Sequence, residues 1–540
     1  MGVDVHFVLL FSVATAVALL ARWLRAPYTV ALVIAGLALG TTSGFQAPHL
    51  TKELLYSVFL PGLLFEAAFH LRFDKFWENR TVILSLAVPG VAAATLLTAL
   101  LLTPSANALH FVEGFSFQQA LVFGALISAT DPIAVVGLFK SLGVLKRLAV
   151  LVEGESLLND GTAAVLFSLI LAFVTGRGAS LGEASLTFVT VVGLGLLIGI
   201  ALSFAVSMVI QRVDDPMIEI TLTTIAAYGS FVAAEHFHVS GVIATVAAGM
   251  VCGNYAARTG MSPSTRVAVE SFWEYVAFAL NSIVFLLIGF EVHVDALVQS
   301  WEPILVAYLA VTLGRAAVIY LASALLRPTR ERIPWAWSTV LTWGGLRGGL
   351  SMVLVLGLAP GFPHRDLLVT MTFGVVVMSI LIQGLSMSRL LLRLGIVSTG
   401  PQREAYEVRR TVLRATQAAL HSLEEIERER LVHPEVLAAV RAEYQARAAD
   451  AESAIRSLHL EQAELREEEL KGVRRRLLLV EKQQLLDSLH AGLVGQRAFE
   501  SALKDIDASL MRLESGEDGG MPAEAAPPAD PGASPEAKRG

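Results

Sequence analysis

Three separated clusters of residues carry chemistry in an otherwise apolar chain. The first, Ser128-Ala129-Thr130-Asp131-Pro132, falls in the middle of an apolar run. Proline at 132 removes a backbone donor and clashes with the preceding turn. This frees the carbonyls near Ala129 and Thr130 beside a carboxylate, which is a cation site in outline. The second is Glu153-Gly154-Glu155-Ser156-Leu157-Leu158-Asn159-Asp160-Gly161. On a helix Ser156 and Asp160 are four apart and share one face, while Glu155 and Asn159 share the adjacent face. Glu153 fits a polar helix entrance, but Asp160 is followed by the apolar run Ala163 to Val174 and reads as an intramembrane carboxylate. The third, Trp343-Gly344-Gly345-Leu346-Arg347-Gly348-Gly349, sets an arginine among four glycines, which permit irregular backbone or close helix approach. An ionised group inside hydrocarbon costs roughly 2.5–3.5 kcal/mol on insertion scales, so Arg347 needs a partner, and Glu155 is the expected one. Oxygen ligands suit a hard monovalent cation, and these clusters offer no His or Cys set for a transition metal. A hard cation or a proton could each neutralise such a carboxylate.

The elements that must position these groups are membrane helices. Of 540 residues 54% are hydrophobic and 16% charged, and the mean hydropathy is +0.61, outside the range of soluble globular domains. Residues 389–540 nevertheless hold 48 of the 89 Lys, Arg, Asp and Glu, so an apolar body precedes a charged tail. The net charge of −7, with no basic block interleaved with aromatics, argues against nucleic acid as a partner. A lone cysteine, Cys252, leaves no intrachain disulfide and no Cys-based cluster. Arg22 and Arg25 follow the first apolar run rather than precede it, the reverse of a cleavable signal peptide.

Thirteen spans are expected: Val5 to Ala21, Tyr28 to Gly40, Leu54 to Leu71, Thr81 to Thr103, Phe117 to Phe139, Leu148 to Thr175, Ser185 to Ile210, Met217 to Ala234, Val239 to Tyr255, Val267 to Phe290, Ile304 to Leu326, Trp335 to Ala359 and Leu367 to Leu394. Alternate loops carry Arg22, Arg25, Arg72, Lys75, Arg80, Lys140, Lys146, Arg147, Arg212, Arg258, Arg266, Arg327, Arg330 and Arg332 on one side. The other side has Lys52, Arg177 and Arg365. This asymmetry puts the N-terminus outside and the tail in the cytoplasm. Spans 5 and 12 are the Pro/Gly-interrupted pair. They lie seven apart, so they run in opposite directions, as in transporters built from inverted repeats with crossed broken helices. The tail from about Arg403 to Leu513 reads as helices, with Val408, Val412, Ala415, Ala419, Leu423 and Ile426 at helical spacing and a break at His433-Pro434. The end, 516–540, has a disordered composition.

The three clusters together, Ala129-Thr130-Asp131-Pro132, Glu155-Ser156-Leu157-Leu158-Asn159-Asp160 and Trp343-Gly344-Gly345-Leu346-Arg347-Gly348, resemble the monovalent cation:proton antiporter-1 family, the NhaP-type sodium/proton antiporters related to animal sodium/proton exchangers. The match covers about residues 5–395 and leaves out the tail. The resemblance implies an all-α polytopic fold of about 13 transmembrane helices in two inverted repeats with crossed discontinuous helices (NhaA-like). The expected division is a transporter domain at 1–395, with dimerisation and core subdomains, a helical cytoplasmic tail at 396–515 that serves packing or dimer contact or answers an unknown regulator, and the disordered end. It implies a homodimer in the plasma (inner) membrane whose core moves like an elevator, exchanging Na⁺ or Li⁺ for H⁺ in pH, sodium and volume homeostasis, with no cofactor and no enzymatic activity. By the resemblance Asp160 is the principal ion- and proton-carrying carboxylate, completed by Asp131, the Ser156 hydroxyl and the Thr130 carbonyl. Glu66 resembles an acidic position acting through water, and Glu155, Asn159 and Arg347 form an adjacent structural ion-pair group. Pro132, Gly344, Gly345 and Gly348 mark the broken helices. Asn159 before Asp160 resembles the Asn-Asp pair of the electroneutral branch, which implies one cation for one proton.

Other polar residues are secondary. Asn281 faces the core domain or bonds a neighbouring helix, Arg315 pairs internally, and His236 and His238 stand in a short outer loop. Potassium/proton antiport would use the same site. A passive channel would use the same acids but lacks a repeated filter sequence. An enzyme is disfavoured by the lack of a P-loop, metal-binding His pair or nucleophile elbow.

Overall fold

The computed structural model describes residues 3–24, 27–40, 52–109, 114–176, 180–291, 294–329, 331–397, 401–429, 433–461, 463–490 and short stretches between 493 and 509. The expected end at 516–540, and Arg25, Arg177 and Arg330 of the loop count, lie outside the described residues. All the described regular structure is helical. Residues 1–398 and 399–540 form two separate units.

Every expected span is a helix or a pair of half-helices. They are α1 (Val3–Leu24), α2 (Tyr28–Gly40), α3 (Leu55–His70), α4 (Arg80–Leu109), α5a (Phe117–Leu126) and α5b (Ile133–Leu142), and α6 (Lys146–Val174). There follow α7 (Leu181–Ile210), α8 (Pro216–His236), α9 (Gly241–Val251), α10 (Pro263–Glu291), α11 (Trp301–Leu325), α12a (Trp335–Trp343) and α12b (Gly349–Leu356), and α13 (Arg365–Arg393). Local chemistry fixes several starts. Ser116 and Gln119 form a capping box before α5a, Ser180 and Glu183 another before α7, and Asp215 caps α8 with proline at its first position. Among the described residues, seven helices are long and apolar enough to cross a membrane. The chain is a multi-pass membrane protein with a pair of discontinuous helices that meet at their breaks.

The helices pack as two bundles. The first holds α1–α3 and α7–α10, and the second holds α4–α6 and α11–α13. In the first, α2 and α10 touch backbone to backbone. A Cβ on Gly36 would lie 2.1 Å from the Leu286 carbonyl oxygen, and one on Gly289 would lie 2.2 Å from that of Val33. Only glycine permits so close a crossing. In the second, α13 widens into a π turn at Ser379–Gly384 where it passes the break in span 12, a feature often found at functional sites.

The second unit contains α14 (Pro401–Glu429), α15 (Pro434–Glu461) and α16 (Ala463–His490). The break expected at His433-Pro434 is where α15 begins. Arg409 reaches Asp450 at 3.2 Å across the α14–α15 pair. The buried face of α14 centres on Thr416 and Leu423, while Val408 and Ile426 are exposed, so it is turned slightly from the expected stripe. Thr416 is accommodated there because its hydroxyl bonds its own helix at the Val412 carbonyl, 2.8 Å away.

Candidate functional site

The two breaks satisfy each other. Between α5a and α5b the backbone leaves the helix, and Asp131 caps α5b by accepting the Ile133 N–H at 3.0 Å on one carboxylate oxygen. The Asp131 N–H donates to the Leu346 carbonyl at 2.8 Å, so the first break hydrogen-bonds directly to the second. Arg347 returns the bond: its Nη1 donates to the carbonyls of Ser128 at 2.7 Å and Ala129 at 3.1 Å, and its backbone N–H donates to Ser379 Oγ at 3.1 Å. Breaking a helix in a membrane strands backbone groups at a cost of several kcal/mol each, and here the crossing partner supplies the missing bonds. Gly348 lies at the crossing for lack of room, since a Cβ there would come 2.5 Å from Asp131 Cβ. Pro132, Gly344, Gly345 and Gly348 all fall in or at the edge of the breaks.

Helix α6 presents the two polar faces that its spacing predicts. Ser156 and Asp160 line a cavity of about 490 Å³ between the bundles, together with Thr130, Asp131, Pro132, Gly348 and Glu66. Ser156 Oγ bonds the Thr130 carbonyl, and Thr130 Oγ1 lies 3.2 Å from Ser156 Oγ. Asp160, one helical turn beyond Ser156, lines the same cavity as Asp131. The opposite wall is largely apolar where α3 and α10 form it, as at Leu55, Phe59, Leu60, Leu64, Ala277 and Val284, while α2 adds Tyr28 and Thr29. Lys140, Glu153, His70 and Asn281 also line it. The other face of α6 closes on a void of about 20 Å³ with Ser128, Glu155, Asn159, Arg315 and Arg347, room for about one water. Asn159 Nδ2 donates to the Ser128 carbonyl at 3.1 Å, Thr130 Oγ1 at 3.0 Å and Glu155 Oε1 at 3.3 Å.

One expectation is corrected. Glu155 pairs with Arg315, not Arg347: Arg315 Nη1 and Nη2 donate to its two oxygens at 3.0 and 2.9 Å in a bidentate fork. Arg315 also donates to the Leu341 carbonyl, from Nε at 3.2 Å and Nη2 at 3.0 Å. The glycine run makes this possible, because a Cβ on Gly345 would lie 2.2 Å from Arg315 Nε. Arg347, 4% exposed, is instead satisfied by main-chain carbonyls. Internal pairing of Arg315 is as expected, but its partner lies 160 residues away and leaves no mark in the spacing. Asn281 faces the cavity. Glu66 sits on the cavity wall beside His70, whose Nδ1 is 3.2 Å from Glu66 Oε1; His70 is the titratable residue that sequence reasoning missed.

Crossed broken helices with two carboxylates open to a cavity between two helical bundles are the architecture of a secondary transporter, not an enzyme. The chain belongs to the sodium/hydrogen exchanger family, whose transmembrane model matches residues 8–393. It is 38% identical over 427 residues to the Na(+)/H(+) antiporter ApNhaP of Aphanothece halophytica, covering 77% of this chain and 80% of that one. It is also 38% identical over 354 residues to the Na(+)/H(+) antiporter NhaP of Pseudomonas aeruginosa, covering 64% and 81%. The sodium proton antiporter MjNhaP1 of Methanocaldococcus jannaschii shares the fold at 18% identity and a TM-score of 0.59, over 72% of this chain and 97% of that one.

Proposed function

We propose that the protein exchanges Na⁺ or Li⁺ for H⁺, one for one, at a single site formed by Asp160, Asp131, the Ser156 hydroxyl and the Thr130 carbonyl. The observation that carries this reading is the cavity between the bundles, which ends on both carboxylates. A bare site holding two carboxylates is the costliest form to move through a low-dielectric membrane. A bound cation or a proton lowers that cost, so only the loaded core crosses, and exchange follows. The second bundle is the moving core and the first the scaffold through which two copies associate. The N-terminus lies outside and the tail in the cytoplasm of a plasma membrane. Glu66 assists from the scaffold wall, and Glu155, Asn159, Arg315 and Arg347 keep the breaks in shape.

The test uses proteoliposomes with an interior pH probe, an imposed pH gradient, and additions of NaCl, LiCl or KCl. Saturable dissipation by Na⁺ and Li⁺ but not K⁺ is the expected result. Equal or better dissipation by K⁺ would change the cation, and uncoupled current would replace exchange with a channel. One-for-one exchange should ignore an imposed voltage, because a net charge moved is worth about 2.3 kcal/mol per 100 mV.

A further inference from the structure

His70 stands at the end of α3 on the cavity wall with its two ring nitrogens in different situations. Nδ1 is engaged within its own helix, 3.0 Å from the Glu66 carbonyl and 3.2 Å from Glu66 Oε1. As Nδ1 faces only acceptors there, it carries the proton in the neutral ring, and Nε2 is the nitrogen that gains one. Nε2 is shielded from solvent and makes no hydrogen bond, yet it points toward Glu274 of α10, whose Oε1 is 3.9 Å away. A neutral ring thus turns a lone pair toward a carboxylate, and a protonated ring turns a donor toward it. The charged groups facing this pair from the packed elements are Glu274 on α10, Lys140 on α5b and Glu153 on α6.

We propose that His70 is a positioning residue for cation entry: protonated, it ties Glu66 into a Glu66–His70–Glu274 bridge and cancels its pull on cations, and neutral, it leaves Glu66 to draw them down the cavity toward Asp160. The inference rests on the exchange reading above and adds a second proton-sensitive step, in the approach to the site rather than at the site. Both bridged carboxylates lie on scaffold helices, so the bridge itself forms within the scaffold. Its sign is fixed by charge. A cation placed beside Glu66 lowers the local cation concentration when the medium on the cavity side is acidic, and the effect vanishes when the ring is neutral.

The experiment is the Na⁺ concentration giving half-maximal exchange, measured in everted vesicles of the full-length protein between about pH 5 and pH 8. Competition by protons at Asp160 raises this value at low pH in every variant, so the comparison is between variants at each pH. His70→Gln is expected to lower it about three- to tenfold at the acid end and to match wild type at the alkaline end. His70→Arg, with a permanent charge, is expected to raise it at the alkaline end by a similar factor. In a Glu66→Gln background both His70 substitutions should lose their effect. A His70→Gln profile that parallels wild type at every pH, an alkaline value unchanged by His70→Arg, or full effects without Glu66 would each overturn the assignment. Absence of Na⁺-driven exchange in the wild type is a different failure, removing the exchange reading and this one with it.

Discussion

The two broken helices are built on the same plan and hold opposite charges. The break in span 5 places Asp131 at the edge of the cavity and uses one of its oxygens as a helix cap, while the break in span 12 buries Arg347 away from it. The aspartate's charge faces space that an ion can enter. The arginine's charge is spent on the Ser128 and Ala129 carbonyls of the first break. On the exchange reading proposed above, the difference separates a ligand from a brace: one break would meet the cargo, and the other supplies the bonds that the first has lost.

Substitutions can break or sharpen that division. The largest effect should come from the ligand side, where Asp160→Asn abolishes cation-driven proton flux in proteoliposomes while the purified protein melts near the wild-type temperature. Loss of folding together with flux would make Asp160 another brace. Next comes the buried pair. Arg315→Leu leaves Glu155 uncompensated and should cost about 3–5 kcal/mol, read as a large fall in melting temperature, and adding Glu155→Leu should recover most of it. Arg347→Gln strands two carbonyls at about 1–3 kcal/mol each; exchange should slow with stability, and a slower carrier of unchanged stability would put Arg347 among the ligands. The sharpest contrast lies within the glycine run. Gly348→Ala presses on Asp131 and should raise the half-saturating Na⁺ concentration, whereas Gly345→Ala presses on Arg315 and should chiefly lower stability, by about 1–3 kcal/mol. The smallest effect belongs to the surface. Arg72 holds the exposed Asp74 carboxyl below its usual range, yet Arg72→Ala should leave both melting and exchange unchanged.

What the sequence makes legible follows the range of the interaction. Pro132 and the glycines around Arg347 announce the breaks because they act on their own backbone. The two faces of α6 are readable because they depend on spacing within one helix. Partner choice is different. Glu155 has two buried arginines within its neighbourhood, and which one forks onto it depends on how α11 crosses α6 and α12a, a geometry that no local pattern encodes. Arg347 is satisfied by carbonyl oxygens, which every residue possesses and which therefore leave no signature. His70 escaped for a related reason: its second nitrogen matters only because α10 brings Glu274 alongside α3.

The apolar wall opposite Asp160 has a mechanical consequence. A surface of leucines, phenylalanine, alanines and valine gives the facing bundle few directional bonds to make or lose, so successive positions along it differ little in energy. If the second bundle slides as proposed, this wall would serve as its bearing. The position at which such a core came to rest would then be left to the few polar and charged groups of the wall, Glu66 and His70 among them.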